Sequence, residues 1–138
     1  PAETAPAPVI EPAQLRQLLI NLVANASEAL GERGGRIVVR TGTIDCDAVY
    51  LGGCHAGNGL PGGRHVYLEV EDSGCGLNQA ARVRLFDPFF STKFTGRGLG
   101  LAAVLGIVRG HRGAIDVRSA SGVGTRMRVL LPLASSRF

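Results

Sequence analysis

Residues 12 to 30 are the most constraining segment of the chain, because apolar side chains recur there at helical spacing over about five turns. Pro12 suits the first position of a helix, and Gly31 suits the position just after its end. The apolar residues predict one core-facing side, made of Leu15, Leu18, Leu19, Leu22, Val23, Ala26 and Leu30. Such a helix needs another apolar surface to cover this side, so we expect a layered domain.

The rest of the chain is organised in blocks of one periodicity. Alternation of apolar and polar residues predicts four strands, at residues 37–44, 65–71, 114–119 and 125–131. Helical spacing predicts two further helices, at residues 78–85 and 99–109. The glycine-rich stretch 45–64 predicts a hairpin with a long loop, within which residues 49–51 predict a short strand. Because strands and helices do not alternate strictly, we expect an α+β fold with helices on one face of a mixed sheet, and not a doubly wound fold.

Length and charge limit the kinds of function that the chain can have. Its 138 residues are 45% hydrophobic and include 20 glycines, which is typical of one globular domain with tight loops. We expect a domain at residues 10–134, after a flexible lead-in at 1–9 and before a tail at 135–138. The net charge of +4 comes almost entirely from arginines scattered along the chain. We therefore expect a solvated surface that contacts neither nucleic acid nor membrane.

Cysteine use and hydropathy indicate a cytoplasmic location. Cys46, Cys54 and Cys75 are odd in number and lack the paired spacing of metal sites, so we expect free thiols in a reducing compartment. No apolar run is long enough to cross a membrane, and no signal peptide is visible. These observations concern this domain, whether or not its parent protein is anchored in a membrane.

Three polar residues share one row of the first predicted helix. Asn21, Asn25 and Glu28 follow the spacing i, i+4 and i+7, which places them on one side of the helix. Asparagine is a mediocre helix former, so two of them beside a leucine-rich side need an explanation. The row indicates either an ordinary polar face or a set of oxygen ligands for a hard cation such as Mg²⁺, which commonly shares its coordination with phosphates.

An aspartate followed by two glycines comes directly after the strand predicted at 65–71. In the segment EDSGCGL, Gly74 and Gly76 allow the backbone to turn sharply and to approach a ligand closely. A buried carboxylate at Asp72 can accept a hydrogen bond from an exocyclic amine such as N6 of adenine. An ordinary Asp-Ser-Gly turn is the alternative interpretation.

Three alternating glycines open the apolar helix predicted at 99–109. Gly96, Gly98 and Gly100 leave backbone N–H groups uncovered at a helix start, which indicates either a phosphate site or a hinge before the helix. The pattern matches neither the Walker A motif nor the dinucleotide motif. Lys93, the one lysine of the chain, and Arg97 flank the same segment and can offset charge on a phosphoryl group.

Five segments together resemble, in sequence order, the five boxes of the catalytic ATP-binding domain of sensor histidine kinases. They are NLVANASEAL (N box), DSGCGL (first glycine box), FDPFFSTK (phenylalanine box), GRGLGLA (second glycine box) and GVGTRMRVLLP (final glycine box). The resemblance covers about residues 10 to 133, and the superfamily also holds DNA gyrase, the MutL repair proteins and the ninety-kilodalton heat-shock chaperones. It implies the Bergerat-type fold, a two-layer sandwich with a mixed sheet of about five strands under three helices.

The resemblance also implies an ATP–Mg²⁺ site and assigns roles by position. Asn25 would be the Mg²⁺ ligand, Asp72 would accept from adenine N6, and Thr125 would contact adenine through water. Lys93 and Arg97 would be cations of a mobile lid over the phosphates. The other residues expected beside the nucleotide are Glu28, Gly74, Gly76, Gly96, Gly98, Leu99, Gly100 and Leu101.

Asn21 distinguishes the branches of this superfamily. The gyrase and MutL members have a glutamate there that orients water, whereas an amide cannot act as a general base. The resemblance therefore implies transfer of the γ-phosphoryl group to a histidine on a separate dimerisation domain of the parent protein, and onward to a response regulator. Asn21, Lys93 and Arg97 are the expected catalytic residues. A serine kinase of the anti-sigma type, a non-catalytic nucleotide-binding module and an ATPase clamp are the alternatives.

The three histidines do not have the setting of a phosphoacceptor. His55 lies in a glycine-rich loop, His65 begins a predicted strand, and His111 is expected to be structural. The helical hairpin that carries an acceptor histidine is missing from this chain, so we do not expect it to phosphorylate itself. One departure from the family pattern is Arg112, which follows His111 where a glycine is common.

Overall fold

Helices and strands form two layers. The structure is a computed structural model that describes residues 10–87 and 100–133. Its helices are α1 (Pro12–Leu30), α2 (Ala48–Gly52), α3 (Gln79–Arg84) and α4 (Gly100–Gly110), and a 3₁₀ turn (Gly31–Arg33) follows α1. Its strands are β1 (Ile37–Cys46), β2 (Gly63–Asp72), β3 (Ala114–Ala120) and β4 (Gly124–Pro132).

The four strands form one sheet in the spatial order β1-β2-β4-β3. Each neighbouring pair is antiparallel. The expected α+β class with two layers is confirmed. In the part of the chain that the structure describes, the sheet has four strands where about five were expected, and its pairing is antiparallel and not mixed. Both sequential pairs, β1–β2 and β3–β4, are hairpins, and strands joined by a hairpin run antiparallel. In the place of a fifth strand, His55 and Ile115 form an isolated bridge at the edge of β3.

The long loop of the first hairpin carries a helix and not a strand. β1 and β2 pair over their full lengths, so the predicted hairpin is confirmed. The short strand predicted at 49–51 is wrong, because Asp47 caps α2 and its Oδ1 accepts a hydrogen bond from the N–H of Tyr50 at 2.7 Å. A capping aspartate just before the segment outweighs the strand preference of valine and tyrosine.

Helices α1 and α4 cover one face of the sheet. The buried residues of this core are Leu18, Leu22, Ala26, Leu68, Val70, Leu85, Val104, Val108, Ile115, Val117, Met127, Val129 and Leu131. The buried side of α1 is narrower than predicted, since Leu15 and Leu19 are 44% and 38% exposed. The helix packs through the row of Leu18, Leu22 and Ala26, which turns the neighbouring leucines towards the surface.

The opposite face of the sheet carries charged side chains in register. Glu69 on β2 lies opposite Arg40 on β1 and Arg128 on β4, and Arg128 lies opposite Asp116 on β3. Beside this charged row, the loop 47–62 folds over the sheet and forms a smaller core of Cys46, Leu51, Ala114 and Leu130. One face is thus apolar under the helices and the other is largely polar, as is usual for a half-covered antiparallel sheet.

Candidate functional site

The polar row of α1 meets the start of α4 in a small cleft. Asn21, Asn25 and Glu28 line this cleft from α1, and Gly100 and Leu101 line it from α4. The two helices pack against each other, which brings Asn21 and Gly100 together across 79 positions of sequence. The first N–H groups of a helix lack partners within the helix, so this end of the cleft favours an anion.

Asn21 is held by two hydrogen bonds within the protein. Its side chain is buried, at 7% exposure. Nδ2 donates to the carbonyl oxygen of Gly100 at 3.1 Å, and Oδ1 accepts from Nε2 of Gln17 at 3.1 Å. Asn21 is therefore part of the wall of the cleft, with both ends of its amide engaged. Sequence reasoning missed Gln17, although its position one turn before Asn21 was an available signal.

Asp72 ends β2 as a buried carboxylate. It is 6% exposed, and its Oδ1 accepts a hydrogen bond from the N–H of Gly74 at 2.8 Å. Burial raises the pKa of Asp72, backbone hydrogen bonds from Gly74 and Thr125 oppose that rise, and the charge of Glu71 adds to it. The pKa lies above its ordinary value. Because burial disfavours the charged form of Asp72, any further hydrogen-bond donor, including an amine on a ligand, would stabilise that charged form.

The two glycines of the Asp72 motif are required by close backbone packing. A Cβ at Gly74 would lie 2.5 Å from the carbonyl oxygen of Ala29, and a Cβ at Gly76 would overlap the carbonyl oxygen of Ala120. Between them, Cys75 donates its N–H to Ala29 at 3.3 Å. The motif is thus fastened both to the end of α1 and to the turn between β3 and β4. This packing accounts for both glycines without any contact to a ligand.

Thr125 faces Asp72 across the sheet and belongs to a small hydroxyl network. The two residues are register partners on β4 and β2. Ser119 Oγ accepts from the N–H of Leu77 at 2.8 Å and donates to the carbonyl oxygen of Gly124 at 3.1 Å. A serine has one hydroxyl proton, so the 2.9 Å contact between Ser119 Oγ and Thr125 Oγ1 must use the proton of Thr125. Thr125 is left as an acceptor, and Ser119 is a site residue that sequence reasoning missed.

A second cleft, of about 360 Å³, borders Asp72 and Thr125. Glu71, Arg118, Ser119 and Arg126 are among its other lining residues. It is separate from the cleft between α1 and α4, but the Asp72 motif connects the two regions. Ala29, which contacts Gly74 and Cys75, directly follows Glu28 of the first cleft. The aspartate motif and the polar row of α1 therefore meet at the C-terminal end of α1.

Several residues singled out in the sequence lie outside the described ranges. These are Lys93, Gly96, Arg97, Gly98 and Leu99. Phe86, near the end of the first described range, is partly buried and packs against the core under the helices. Its ring lies 4.7 Å from that of His55, centroid to centroid.

The donor set fits a cation that is bound mainly through a ligand. Within residues 10–87 and 100–133, no group of three or more His, Cys, Asp and Glu side chains could hold a metal ion. Asn25 and Glu28 lie together in the first cleft as oxygen donors. Mg²⁺ is commonly held by one or two protein oxygens together with substrate phosphates, and this cleft offers that arrangement.

Each of the three histidines has a structural setting in the described chain. His65 is buried, with Nδ1 2.9 Å from the carbonyl oxygen of Gly63. Nδ1 of His111 lies 2.8 Å from the carbonyl oxygen of Ile107 in α4. Burial, followed by the charge of Arg82, lowers the pKa of His55. None of the three lines either of the two clefts described above.

Comparison with known proteins agrees with this geometry. The profile of the family described as histidine kinase-, DNA gyrase B- and HSP90-like ATPase matches residues 10–135. The chain belongs to this ATPase family. The resemblance drawn from the five boxes is thereby confirmed, and the chain is a catalytic ATP-binding domain of the sensor histidine kinase type.

The chain is similar to several curated sensor kinases. The ATPase domain is 40% identical to sensor kinase CckA of Brucella abortus (strain 2308) over 122 residues, which are 86% of this chain and 12% of that protein. It is 34% identical to sensor histidine kinase ZraS of Escherichia coli O157:H7 over 135 residues, 98% of this chain and 25% of that protein. The curated relatives are therefore four to eight times longer than the matched domain.

Solved structures show the same fold. The mycobacterial sensor histidine kinase MprB matches with a TM-score of 0.68 and 28% identity, over 91% of this chain and 76% of that chain. Full-length ShkA in complex with AMPPNP matches with a TM-score of 0.71 and 28% identity, over 97% of this chain and 24% of that chain. Among the described helices of the ATPase domain, none is long and apolar enough to cross a membrane.

Proposed function

We propose that this domain binds ATP with Mg²⁺ and donates the γ-phosphoryl group to a histidine on a separate dimerisation domain of its parent protein, from which a response regulator receives it. The observation that carries the proposal is the cleft in which Asn21, Asn25 and Glu28 meet Gly100 and Leu101 at the start of α4. The sensor kinases to which the chain is similar support the same assignment, and the ShkA complex with AMPPNP supports a nucleotide as ligand.

Asp72 and Thr125 suit the adenine end of the nucleotide. The carboxylate of Asp72 would accept a hydrogen bond from the N6 amine. Thr125 donates its hydroxyl proton to Ser119, so its oxygen would accept a hydrogen bond from a bridging water. Guanine carries a carbonyl oxygen where adenine carries this amine. A buried carboxylate opposite that oxygen would reject guanine, because two acceptors would face each other.

The start of α4 and the polar row of α1 suit the phosphate end. Backbone N–H groups at Gly100 and Leu101 would face the phosphates with the favourable end of the helix dipole. Asn25 would give an oxygen ligand to Mg²⁺, with Glu28 next to it in the cleft. Bound Mg²⁺ would offset the negative charge of the phosphate oxygens. We extend the proposal to Lys93 and Arg97 as further cations near the transferred group.

Asn21 supports transfer over hydrolysis. Its amide cannot take a proton from water, and both of its polar atoms are already hydrogen-bonded to Gln17 and Gly100. Phosphoryl transfer needs positioning and charge stabilisation more than covalent chemistry from the protein. The cleft would therefore hold the γ-phosphoryl group for an acceptor brought by another domain.

The test is phosphorylation of the matching histidine-bearing helical domain. That domain is mixed with this chain and ATP labelled at the γ-phosphate. We expect acid-labile phosphoprotein that disappears when the acceptor histidine is replaced by glutamine. The variants Asn25→Ala and Asp72→Asn should each reduce labelling at sub-saturating ATP, whereas Asp45→Asn, at an exposed ion pair with Arg64, should not.

Three results would contradict the proposal, and each points to a different function. Acid-stable phosphoserine on the acceptor would indicate a serine kinase. Rapid release of phosphate by the chain alone, abolished in Asn25→Ala, would indicate an ATPase. Absence of ATP–Mg²⁺ binding at millimolar nucleotide would indicate a module that does not use ATP. A micromolar dissociation constant for ATP–Mg²⁺, about −8 kcal/mol of binding free energy, would exclude such a module.

A further inference from the structure

Gln17 is not among the residues that line either cleft, yet it donates a hydrogen bond to the side chain of Asn21, which does line the first cleft. We propose that Gln17 is a positioning residue for the phosphate end of the site. It fixes the amide of Asn21, and Asn21 in turn holds the first residue of α4, Gly100. This inference rests on the proposed function, because it assigns a role to Gln17 at the phosphate end of the same nucleotide site.

The direction of this Gln17–Asn21–Gly100 relay follows from the chemistry of its last member. The carbonyl oxygen of Gly100 can only accept a hydrogen bond, so the Asn21 atom that faces it must be Nδ2. Asn21 Oδ1 then points the other way, towards Gln17. Gln17 must present its amide nitrogen to that oxygen, as the 3.1 Å bond shows. A donor at position 17 therefore stabilises the hydrogen bond from Asn21 to Gly100, and an acceptor at position 17 opposes it.

The hydrogen bond from Asn21 to Gly100 joins α1 to the first residue of α4. Glycine has more backbone freedom than any other residue, and Gly100 has no Cβ with which to pack. Among residues 10–87 and 100–133, the side-chain atom nearest to the place of that missing Cβ is Cγ of Asn21, at 4.0 Å. The amide of Asn21 thus packs against Gly100 and links its carbonyl group to α1 through a hydrogen bond. Gly100 and Leu101 line the cleft, so the same hydrogen bond would position their N–H groups there.

The alternative is that Gln17 stabilises only helix α1, through its side-chain pair with Asn21, and this alternative predicts different measurements. A side-chain pair four residues apart on a helix surface contributes only about 0.2–0.5 kcal/mol to that helix. If Gln17 did no more than this, its replacement would shift stability slightly and leave nucleotide discrimination unchanged. A positioning role predicts a loss confined to ligands that carry phosphates, since the adenine end depends on Asp72 and Thr125.

The experiment compares Gln17→Glu and Gln17→Met with wild type and with Gln14→Glu. Glutamate keeps the size and helix preference of glutamine but offers only acceptors, so it competes with Gly100 for Nδ2 of Asn21. Methionine removes the donor without adding charge. Gln14→Glu puts the same charge on the same helix one turn earlier, and repeating the measurement at high salt screens the remaining electrostatic difference.

Two readouts are taken on each variant. The first is the dissociation constant for ATP–Mg²⁺ and for adenosine, and the second is hydrogen exchange of the α4 amides without nucleotide. We expect Gln17→Glu to weaken ATP–Mg²⁺ at least tenfold, to leave adenosine within twofold and to speed exchange in the first turn of α4. Gln17→Met should show the same pattern to a smaller extent, and Gln14→Glu should stay within twofold throughout.

Equal ATP affinity in wild type and Gln17→Glu would overturn the positioning role while leaving the proposed function intact. An equal loss in Gln14→Glu, or a parallel loss for adenosine, would also overturn it, since charge or general destabilisation would then explain the effect. If wild type fails to bind ATP–Mg²⁺, the proposed function fails. Unchanged exchange of α4 in Gln17→Glu would then contradict the relay on its own.

Discussion

Glu69 and Arg128 lie directly opposite each other on β2 and β4, and Arg128 Nε donates to Glu69 Oε1 at 2.8 Å. Glu69 is only 2% exposed, although it sits on the polar face of the sheet. Arg40, on its other side, donates to Oε2 at 2.7 Å. The carboxylate is thus buried by its own cationic partners. This row lies across three strands, so the loss of Glu69 would remove the carboxylate that is hydrogen-bonded to Arg128 and one of the two that are hydrogen-bonded to Arg40.

Replacement of Glu69 by glutamine should destabilise the domain. The variant keeps the shape but removes the charge, and breaking one member of a buried pair is costly. Because the arginines are partly exposed, we expect a loss of about 2–3 kcal/mol in the free energy of unfolding, measured with urea. Glu71→Gln removes an exposed ion pair with Arg40 and should cost much less. Equal losses in the two variants would contradict the assigned importance of burial.

The contribution of Glu69 should depend on pH in one direction. Burial alone raises the pKa of Glu69, but hydrogen bonds from Arg128 and Arg40 outweigh it and leave the pKa below its ordinary value of 4.5. A lowered pKa means that this stabilisation is present above the unfolded-state value and is lost as pH falls through the folded-state value. The stability gap between wild type and Glu69→Gln should therefore be full at pH 7 and shrink below about pH 4.5. A gap that stays constant down to pH 3 would argue against an ionic origin.

ATP binding should fail on acidification at a higher pH than an ordinary aspartate would cause. Under the proposed function, recognition of the adenine amine requires ionised Asp72, whose pKa is raised above 3.8, first of all by burial. Affinity should be retained above the raised pKa and fall as pH drops through it, as followed by calorimetry from pH 8 down to the ordinary aspartate value of 3.8. Asp72→Asn should bind ATP about 100-fold more weakly and lose this pH-dependent step. The exposed substitution Asp45→Asn should preserve both the affinity and the step.

Gly76→Ala should disrupt the Asp72 motif far more than Gly122→Ala. Both glycines have a positive φ, of 74° and 82°. A Cβ at Gly76 would overlap the carbonyl oxygen of Ala120, whereas a Cβ at Gly122 would meet open space. We expect about 1 kcal/mol of destabilisation for Gly122→Ala and at least about 3 kcal/mol for Gly76→Ala, measured by urea unfolding. Similar losses would show that the positive φ matters and the contact does not.

Arg112→Gly should stabilise the domain. Arg112 follows α4 with a φ of 57°, a conformation that glycine adopts without strain. Hydrogen bonds from Gly113 to Val108 and from Arg112 to Arg109 close the helix in a Schellman motif, in which glycine is the usual residue at this point. We expect a gain of about 1 kcal/mol in unfolding free energy, measured with urea. Arg109→Gly, within the last turn of α4, removes the same charge and should cost about 1 kcal/mol instead.

The elements predicted correctly from sequence are those with local signals. Pro12 and Gly31 are the first residue of α1 and the cap that follows it, as expected. α2 was missed because its signal was the cap at Asp47, which lies in a glycine-rich stretch that otherwise suggests a loop. The positive φ of Arg112 agrees with the expectation that its position suits glycine.

The candidate site was predictable as a set of residues but not as a set of contacts. The spacing of Asn21, Asn25 and Glu28 places them in one row whatever the fold, and the structure finds them in one cleft. The partner of Asn21 could not be read from spacing, because Gly100 is 79 positions away. Ser119 carries no motif at all, and its role depends on the register that pairs it with Thr125.

The sequence by itself determined the family, the polar row of α1 and the ends of that helix, since each depends on residue order or on contacts within a few positions. Only the tertiary structure decided which end of the Asn21 amide faces Gly100, how the arginines surround Glu69, and which close contacts require Gly74 and Gly76. Those features depend on strand register and on how α1 packs against α4. Register and packing arise from the burial of the whole core, so no local pattern specifies them.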